Sequence, residues 1–192
     1  MNADAVEAAF EVGHILVSLG VPYLVGGSMA CIVWGEPRFT QNVDFVAALE
    51  AQHVDGLLDA LGGDWYADRS SIEDAIKRRS SFNIIRLSGM IKVDVFVPPE
   101  DGLHASKWSR AQAACLRPGE SRELMITSPE DILLQKLDWY RQGGEVSEQQ
   151  WRDVLSLLRL RVGRLDDPYL DRWASEMGLE DLMERARQEA TA

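Results

Sequence analysis

Two polar side chains, Asn42 and Asp44, stand two residues apart in an apolar segment that is predicted to form a strand over residues 42–47. Successive side chains of a strand point to opposite faces, so the amide of Asn42 and the carboxylate of Asp44 are expected on one face. Both groups offer oxygen atoms, which are the ligands that Mg²⁺ prefers. This spacing therefore predicts a pair of ligands for a divalent cation.

A further carboxylate, Asp94, interrupts the strongly apolar segment Ile91–Val97, which is also predicted to be a strand. A charge within such a strand is costly unless it is paired or binds a metal ion. On the residues alone, an exposed position on an edge strand or a structural salt bridge also accounts for Asp94. Together with residues 81–87, this strand is predicted to form a hairpin across the turn at residues 88–90.

A glycine-rich turn lies before the Asn42 segment, where an apolar strand predicted over residues 22–25 leads into Gly26, Gly27 and Ser28. Two consecutive glycines allow a tight turn that leaves backbone N–H groups exposed. Ser28 takes the N-cap position of a short apolar helix, where N–H groups favour phosphate oxygens. The turn is thus a candidate phosphate cradle. We expect a Cβ at Gly27 to crowd bound phosphates while leaving the fold intact.

The order of these segments resembles the DNA-polymerase-β-like nucleotidyltransferase superfamily. It is most similar to the small bacterial members of the AbiEii toxin kind, from toxin–antitoxin and abortive-infection systems. The resemblance rests on the Gly-Gly-Ser turn, on the Gly-x-Pro-Arg-x-Thr segment that ends in Arg38 and Thr40, and on Asp44. It extends over roughly residues 20–160, with the later helices matching less specifically.

The resemblance implies a role for each matching residue. Magnesium binds Asp44, Asp94 and the residue at the first ligand position, Asn42. Lys136 contacts a phosphate and, with the two aspartates, belongs to the catalytic set, while Asp153 supports the metal or the lysine. The residues implied to bind nucleotide are Gly26, Gly27, Ser28, Arg38, Thr40, Lys136 and Asp153. Without the resemblance, Lys136 and Asp153 are equally well explained as solvated charges on helices.

The activity implied by this resemblance is magnesium-dependent nucleotidyl transfer. The turn holds the β- and γ-phosphates of a nucleoside triphosphate, an acceptor hydroxyl attacks the α-phosphorus, and pyrophosphate leaves. The acceptor is an RNA end, a protein or a small molecule, and the sequence does not choose among them. It also does not give the base preference, the oligomeric state, or a role as toxin, antitoxin or neither.

Asn42 departs from the family pattern, which has a carboxylate at this position. An amide oxygen can bind magnesium, but the loss of one formal charge weakens the site. Three outcomes follow: an enzyme that works with one well-held ion, a protein that binds nucleotide without turnover, or an interaction module on the same fold. The last would be a nucleotide-sensing or antitoxin-like partner of a cognate toxin or antitoxin.

The mixture of strands and helices predicts an α/β (α+β) fold, with a mixed-sheet core over residues 1–125 and a helical C-terminal region over residues 126–192. The segment Ser128-Pro129-Glu130-Asp131 has the composition of a helix start: a serine cap, a proline and two acids. The 192 residues are enough for one sizeable core.

The net charge of −11 argues against binding to extended DNA or RNA, because such binding requires many phosphates to be neutralised. A nucleotide that arrives with magnesium escapes this objection. Two cysteines and three histidines are dispersed along the chain, so a zinc centre is not expected. No apolar run approaches the length of a membrane span and no signal peptide is evident, so we expect a cytoplasmic protein that does not contact membranes.

Overall fold

The computed structural model describes residues 2–191, and within this range seven strands form one mixed sheet. The strands are β1 Tyr23–Val25, β2 Val43–Ala47, β3 Trp65–Ala67, β4 Ser81–Arg86, β5 Ile91–Phe96, β6 Gln112–Ala114 and β7 Leu124–Ile126. Their order across the sheet is β3-β4-β5-β2-β1-β7-β6. The pairs β2–β5 and β1–β7 are parallel, and the other neighbours are antiparallel. The predicted mixed α/β class is confirmed.

Nine α-helices accompany the sheet in the described residues. They are α1 Ala3–Ser18, α2 Gly27–Trp34, α3 Val54–Leu61, α4 Arg69–Arg78, α5 Gly102–Arg110, α6 Pro129–Gln142, α7 Glu148–Leu160, α8 Asp167–Met177 and α9 Glu180–Thr191. No helix in residues 2–191 has both the length and the apolar character needed to cross a membrane.

The chain divides into two compact units. Within the described residues, the sheet unit comprises residues 2–29 together with Arg38–Thr127, and it contains all seven strands. The other, the helical unit, comprises Ala30–Pro37 and residues 128–191. Within the helical unit, the N–H of Glu36 donates to Oγ of Ser156 at 2.6 Å, which ties the segment 30–37 to α7.

In the sheet unit, alternation along the central strands separates an apolar face from a polar one. Val43 and Phe45 of β2 and Val93 and Val95 of β5 are buried on the face that α1 covers. The alternate residues of the same strands point to the opposite side, where burial is incomplete. We call this side the polar face and define it by Asp44, Asn83, Lys92 and Asp94. Because only one face of these strands is buried, apolar and polar residues alternate along them, and this alternation is what predicts the strands from the sequence.

In the helical unit, the helix start predicted at residues 128–131 is confirmed. Oγ of Ser128 accepts from the N–H of Asp131 at 3.1 Å, and Pro129 occupies the first turn of α6. The fully buried carboxylate of Asp131 accepts from the hydroxyls of Ser128 and Tyr169, both at 2.6 Å. A buried carboxylate requires such partners, so this cluster fixes α6 against α8.

Each of the four predicted strands is one residue shorter than predicted: β1 begins at Tyr23, β2 at Val43, β4 ends at Arg86 and β5 ends at Phe96. The strand expected over residues 42–47 begins at Val43, because the N–H of Asn42 donates at 3.2 Å to Oγ1 of Thr40 in a local turn. The helix α5 begins at Gly102, where the side chain of Asp101 caps it by accepting from the N–H of His104 at 2.8 Å. The strand β6 follows this helix.

Candidate functional site

The two predicted carboxylates of the metal site lie directly opposite one another. Asp44 of β2 and Asp94 of β5 are register partners in the parallel pair, so both side chains leave the polar face from strands about 4.8 Å apart. Both are partly exposed, which leaves them accessible to a ligand. The structure therefore brings together the two residues that the sequence proposed as metal ligands. Their role as ligands stays a prediction.

Asn83 is an oxygen-bearing side chain that the sequence analysis missed. It is the register partner of Asp94 on the neighbouring strand β4, so Asp44, Asp94 and Asn83 form one row across three adjacent strands. The hairpin turn at residues 88–90 contained the signal for this register, because counting back from the turn places residue 83 opposite residue 94 or its neighbour. In contrast, Asn42 is exposed and lies before the start of β2.

Asp94 has a cationic partner on its own strand. Nζ of Lys92 lies 2.9 Å from Oδ2 of Asp94, and the two residues share the polar face because they are two positions apart. The strand β5 lies between β4 and β2, so the interpretation of Asp94 as a residue of an edge strand is wrong. The salt-bridge interpretation fits this contact, and it does not exclude metal binding because both side chains are partly exposed.

The glycine turn packs directly on Asp44. Gly27 has a φ of +51°, a conformation that residues with a Cβ resist. A Cβ at this position would lie 2.5 Å from Cγ and 2.9 Å from Cβ of Asp44, and closer still to its Oδ2. The N–H of Gly26 donates to the carbonyl of Asp44 at 2.8 Å. These contacts fix the position of the turn relative to the carboxylate of Asp44. They also mean that the N–H of Gly26 donates within the chain.

The other predicted nucleotide-binding residues of the sheet unit fall into two places. Nη2 of Arg38 donates to Oγ of Ser28 at 2.8 Å, which holds the guanidinium beside the first turn of α2. Thr40 is buried, and its hydroxyl accepts from the N–H of Asn42. The structure thus joins Arg38 to the turn, whereas Thr40 supports the loop that leads into β2.

Lys136 and Asp153 form a buried ion pair within the helical unit. Nζ of Lys136 lies 2.9 Å from Oδ2 of Asp153, and their side chains are 2% and 6% exposed. Nε2 of Gln149 donates to the other carboxylate oxygen at 3.0 Å. The alternative of two solvated helix charges is therefore wrong. Their predicted roles toward a nucleotide are not tested by this contact.

The oxygen donors of the polar face suit a hard cation. In residues 2–191 no group of three or more His, Cys, Asp and Glu side chains is placed to hold a metal ion. Two carboxylates and an amide nevertheless match the way Mg²⁺ binds proteins, through one or two carboxylates with the remaining positions filled by substrate phosphates and water. Asp44 and Asp94, with Asn83 in the same row, have the donor atoms for one such ion. The role of Asn42 as a ligand stays a prediction.

We expect Gly27→Ala to disturb the protein even without a nucleotide. The added Cβ meets the carboxylate of Asp44 and is forced into a positive φ, so the variant should lose about 2 kcal/mol of unfolding free energy or more. Urea unfolding measures the loss. The matched control is Gly63→Ala, since a Cβ at Gly63 meets no atom within 4 Å. Equal stability of the two variants would contradict the close contact. This prediction replaces the expectation, drawn from the sequence, that the fold stays intact.

Lys136→Met should destabilise the helical unit strongly. It leaves the carboxylate of Asp153 buried without its counter-charge, a loss of about 3–5 kcal/mol. The double variant with Asp153→Leu removes both charges and should recover most of that loss. Thermal unfolding of the three proteins checks this. Nucleotide affinity of the double variant then reports any role of the pair beyond stability, because its fold is preserved.

Comparison with known proteins identifies a shared fold. No protein-family model matches the chain, and no curated protein matches its sequence. Among solved structures, the solution structure of the antibiotic-resistance factor ANT(2'')-Ia superposes with a TM-score of 0.55 at 13% identity, covering 92% of this chain and 96% of that one. The crystal structure of ANT(2'')-Ia in complex with adenylyl-2''-tobramycin gives 0.57 at 13% identity, with coverages of 90% and 95%.

A third structure, an antigenic nucleotidyltransferase-like protein from Paracoccidioides brasiliensis, gives a TM-score of 0.50 at 18% identity, covering 98% of this chain and 94% of that one. These likenesses extend over nearly the whole length of both chains, and their sequence identities are low. The chain therefore has the fold of nucleotidyltransferases.

Proposed function

We propose that this protein is a magnesium-dependent nucleotidyltransferase, which moves a nucleoside monophosphate from a nucleoside triphosphate to a hydroxyl acceptor. The observation that carries the proposal is the register of Asp44 with Asp94, on the face where the Gly27 turn packs against Asp44. The fold shared with ANT(2'')-Ia supports it. The resemblance in the sequence indicates the same chemistry from the turn and the carboxylates.

The turn supplies the phosphate contacts. The N–H groups in the first turn of a helix have no partner within that helix, so those of Ser28 and Met29 at the start of α2 are suited to phosphate oxygens. Arg38, held at Oγ of Ser28, adds a positive charge at the same end. These contacts orient the triphosphate so that its α-phosphorus faces the row of oxygen ligands.

Asp44 and Asp94 would hold the magnesium ion. When bound, the ion supplies charge neutralisation for the triphosphate and lowers the pKa of the acceptor hydroxyl. The residues provide fixed positions, since the backbone of Asp44 is bonded to Gly26 and its side chain lies against Gly27. In the reaction, the acceptor oxygen bonds to the α-phosphorus, the bond from that phosphorus to the bridging oxygen breaks, pyrophosphate departs, and the hydroxyl proton passes to water.

A small molecule is the acceptor that we favour. The structure of ANT(2'')-Ia contains adenylyl-2''-tobramycin, in which a small molecule carries the nucleotidyl group. The net charge of −11 also disfavours a long RNA, although it does not oppose a short RNA end or a protein. A place in a toxin–antitoxin or defence system, and a cognate partner there, remain predictions from the sequence resemblance.

The second candidate function is a nucleotide-binding or interaction module with weak or no turnover. Asn42 favours it, because this residue supplies no charge and lies outside β2. The contact of Lys92 with Asp94 favours it as well, because a cation must share that carboxylate. The enzyme and the nucleotide-binding module both predict nucleotide binding at the turn, so turnover separates these two, whereas an interaction module need not bind nucleotide.

The direct test is to incubate the protein with Mg²⁺ and each labelled nucleoside triphosphate in the presence of hydroxyl-bearing acceptors, including aminoglycosides, RNA ends and the protein itself. We expect release of pyrophosphate, and a rate at least about 100-fold lower for Asp44→Asn. Asp59→Asn, an exposed acid on α3, is the control and should keep the rate. Nucleotide binding without pyrophosphate release would favour the binding module.

Asn42→Asp tests whether the first ligand position still belongs to the site. It restores a carboxylate without changing side-chain size, so magnesium affinity should rise on the order of tenfold. The added charge near Asp44 should lower the melting temperature without metal, and magnesium should recover it by binding the folded state. A magnesium titration followed by thermal unfolding and turnover measures both effects. If the variant gains neither stability from magnesium nor turnover, Asn42 does not belong to the metal site.

A further inference from the structure

We propose that Lys92 is a built-in cation of the metal site, which takes the place of a second divalent ion and limits the site to one. The inference rests on the proposed function, because it assigns a role within the same row of ligands. It adds Lys92, which the sequence resemblance did not include. Three observations carry it: the contact with Asp94, the repulsion between the two carboxylates, and the charge of the site.

The contact is a specific one. Lys92 and Asp94 project from the same face of β5, and Nζ of Lys92 lies 2.9 Å from Oδ2 of Asp94. A carboxylate has two oxygens, so Asp94 could contact a cation and Lys92 at the same time. A lysine side chain that is 50% exposed needs little rearrangement to adjust to a bound ion.

The repulsion explains why a cation is needed at this place. Asp44 and Asp94 are direct register partners, and like charges opposite one another on adjacent strands destabilise a sheet. Lys92 offsets this repulsion in the metal-free protein. A divalent ion offsets it further when it binds between the two carboxylates.

The charge of the site agrees with one divalent ion. If position 42 held the carboxylate of the family pattern and the site took two divalent ions, as two-metal sites do, its three carboxylates and two ions would carry one net positive charge before the nucleotide binds. Asp44 and Asp94 with Lys92 and a single divalent ion carry the same net charge, since Asn42 and Asn83 are neutral. Lysine thus compensates for the carboxylate that Asn42 lacks, and the electrostatic attraction for a triphosphate is kept.

The experiment measures metal binding without nucleotide. Mn²⁺ is titrated into the protein, with the free ion followed by its paramagnetic resonance signal. We expect the wild type to bind one ion and Lys92→Met to bind it about tenfold more tightly or to bind two, because a positive charge beside the ligand is gone. The metal-free melting temperature of Lys92→Met should fall, and saturating Mn²⁺ should restore it.

Two controls separate the specific role from a general effect of charge. Lys77→Met removes an exposed lysine from α4 and should leave affinity, stoichiometry and melting temperature unchanged. Lys92→Arg keeps the charge and should retain one ion with the affinity of the wild type. Circular dichroism checks that each variant is folded. If Lys92→Met fails to fold, the same titration is carried out on Lys92→Gln, in which the replacement is polar.

The outcomes separate this inference from the proposed function. If Lys92→Met matches the wild type in affinity and stoichiometry while the wild type turns over nucleotide, the inference is overturned and the enzyme stands. A fall in nucleotide affinity with unchanged Mn²⁺ binding also overturns it, since Lys92 would then be a phosphate contact. If the Mn²⁺ titrations differ as expected but no pyrophosphate is released, the inference stands and the enzyme fails. Absence of Mn²⁺ binding in both proteins overturns both.

Discussion

The repulsion between Asp44 and Asp94 is the constraint around which the sheet unit is arranged. The two carboxylates come from adjacent parallel strands in direct register, and a fold without a use for them would gain stability by separating them. Instead, the surrounding residues hold the pair in place: Gly27 packs against Asp44, and Lys92 contacts Asp94. An unfavourable local interaction, here the repulsion between two carboxylates, that is held in place by its neighbours is typical of functional sites.

The rest of the fold supplies rigid support for that pair. The face of β2 and β5 opposite the carboxylates is buried under α1, so a shift of register by one residue would expose the core and bury both charges. In the helical unit, by contrast, two sets of charged side chains are buried. The ion pair of Lys136 with Asp153 and the cluster around Asp131 are buried and satisfied by partners within that unit. Charges on the polar face remain available to ligands, whereas these are enclosed.

The sequence predicted the features that depend on local signals. Gly26, Gly27 and Ser28 follow an apolar strand, so the turn could be located from residues that are adjacent in the chain. The alternation of apolar residues predicted β2 and β5, and the hairpin of β4 with β5 followed from a short turn. The α/β class required only the mixture of these elements.

Features that depend on packing between distant segments could not be obtained in this way. The parallel pairing of Asp44 with Asp94 leaves no local pattern, and only the family resemblance suggested that they meet. The hairpin turn could place Asn83 opposite Asp94 or its neighbour, but nothing in the sequence distinguishes Asn83 from any polar residue on the exposed side of a strand. The sequence also left the salt-bridge partner of Asp94 unnamed. The burial of Lys136 depends on the packing of α6 with α7. The close contact of Gly27 with Asp44 is likewise a tertiary feature.

The register of Asp44 with Asp94 also has a consequence for folding kinetics. The two residues are 50 positions apart in the chain, and the hairpin strand β4 precedes β5 between them. Contacts of such long sequence separation form late, because loop closure must be completed first. The metal ion of the proposed function, which requires both carboxylates, would therefore have no binding site in the early folding chain. Such an ion would lengthen the lifetime of the native protein by slowing unfolding, while the rate of folding would stay that of the metal-free chain.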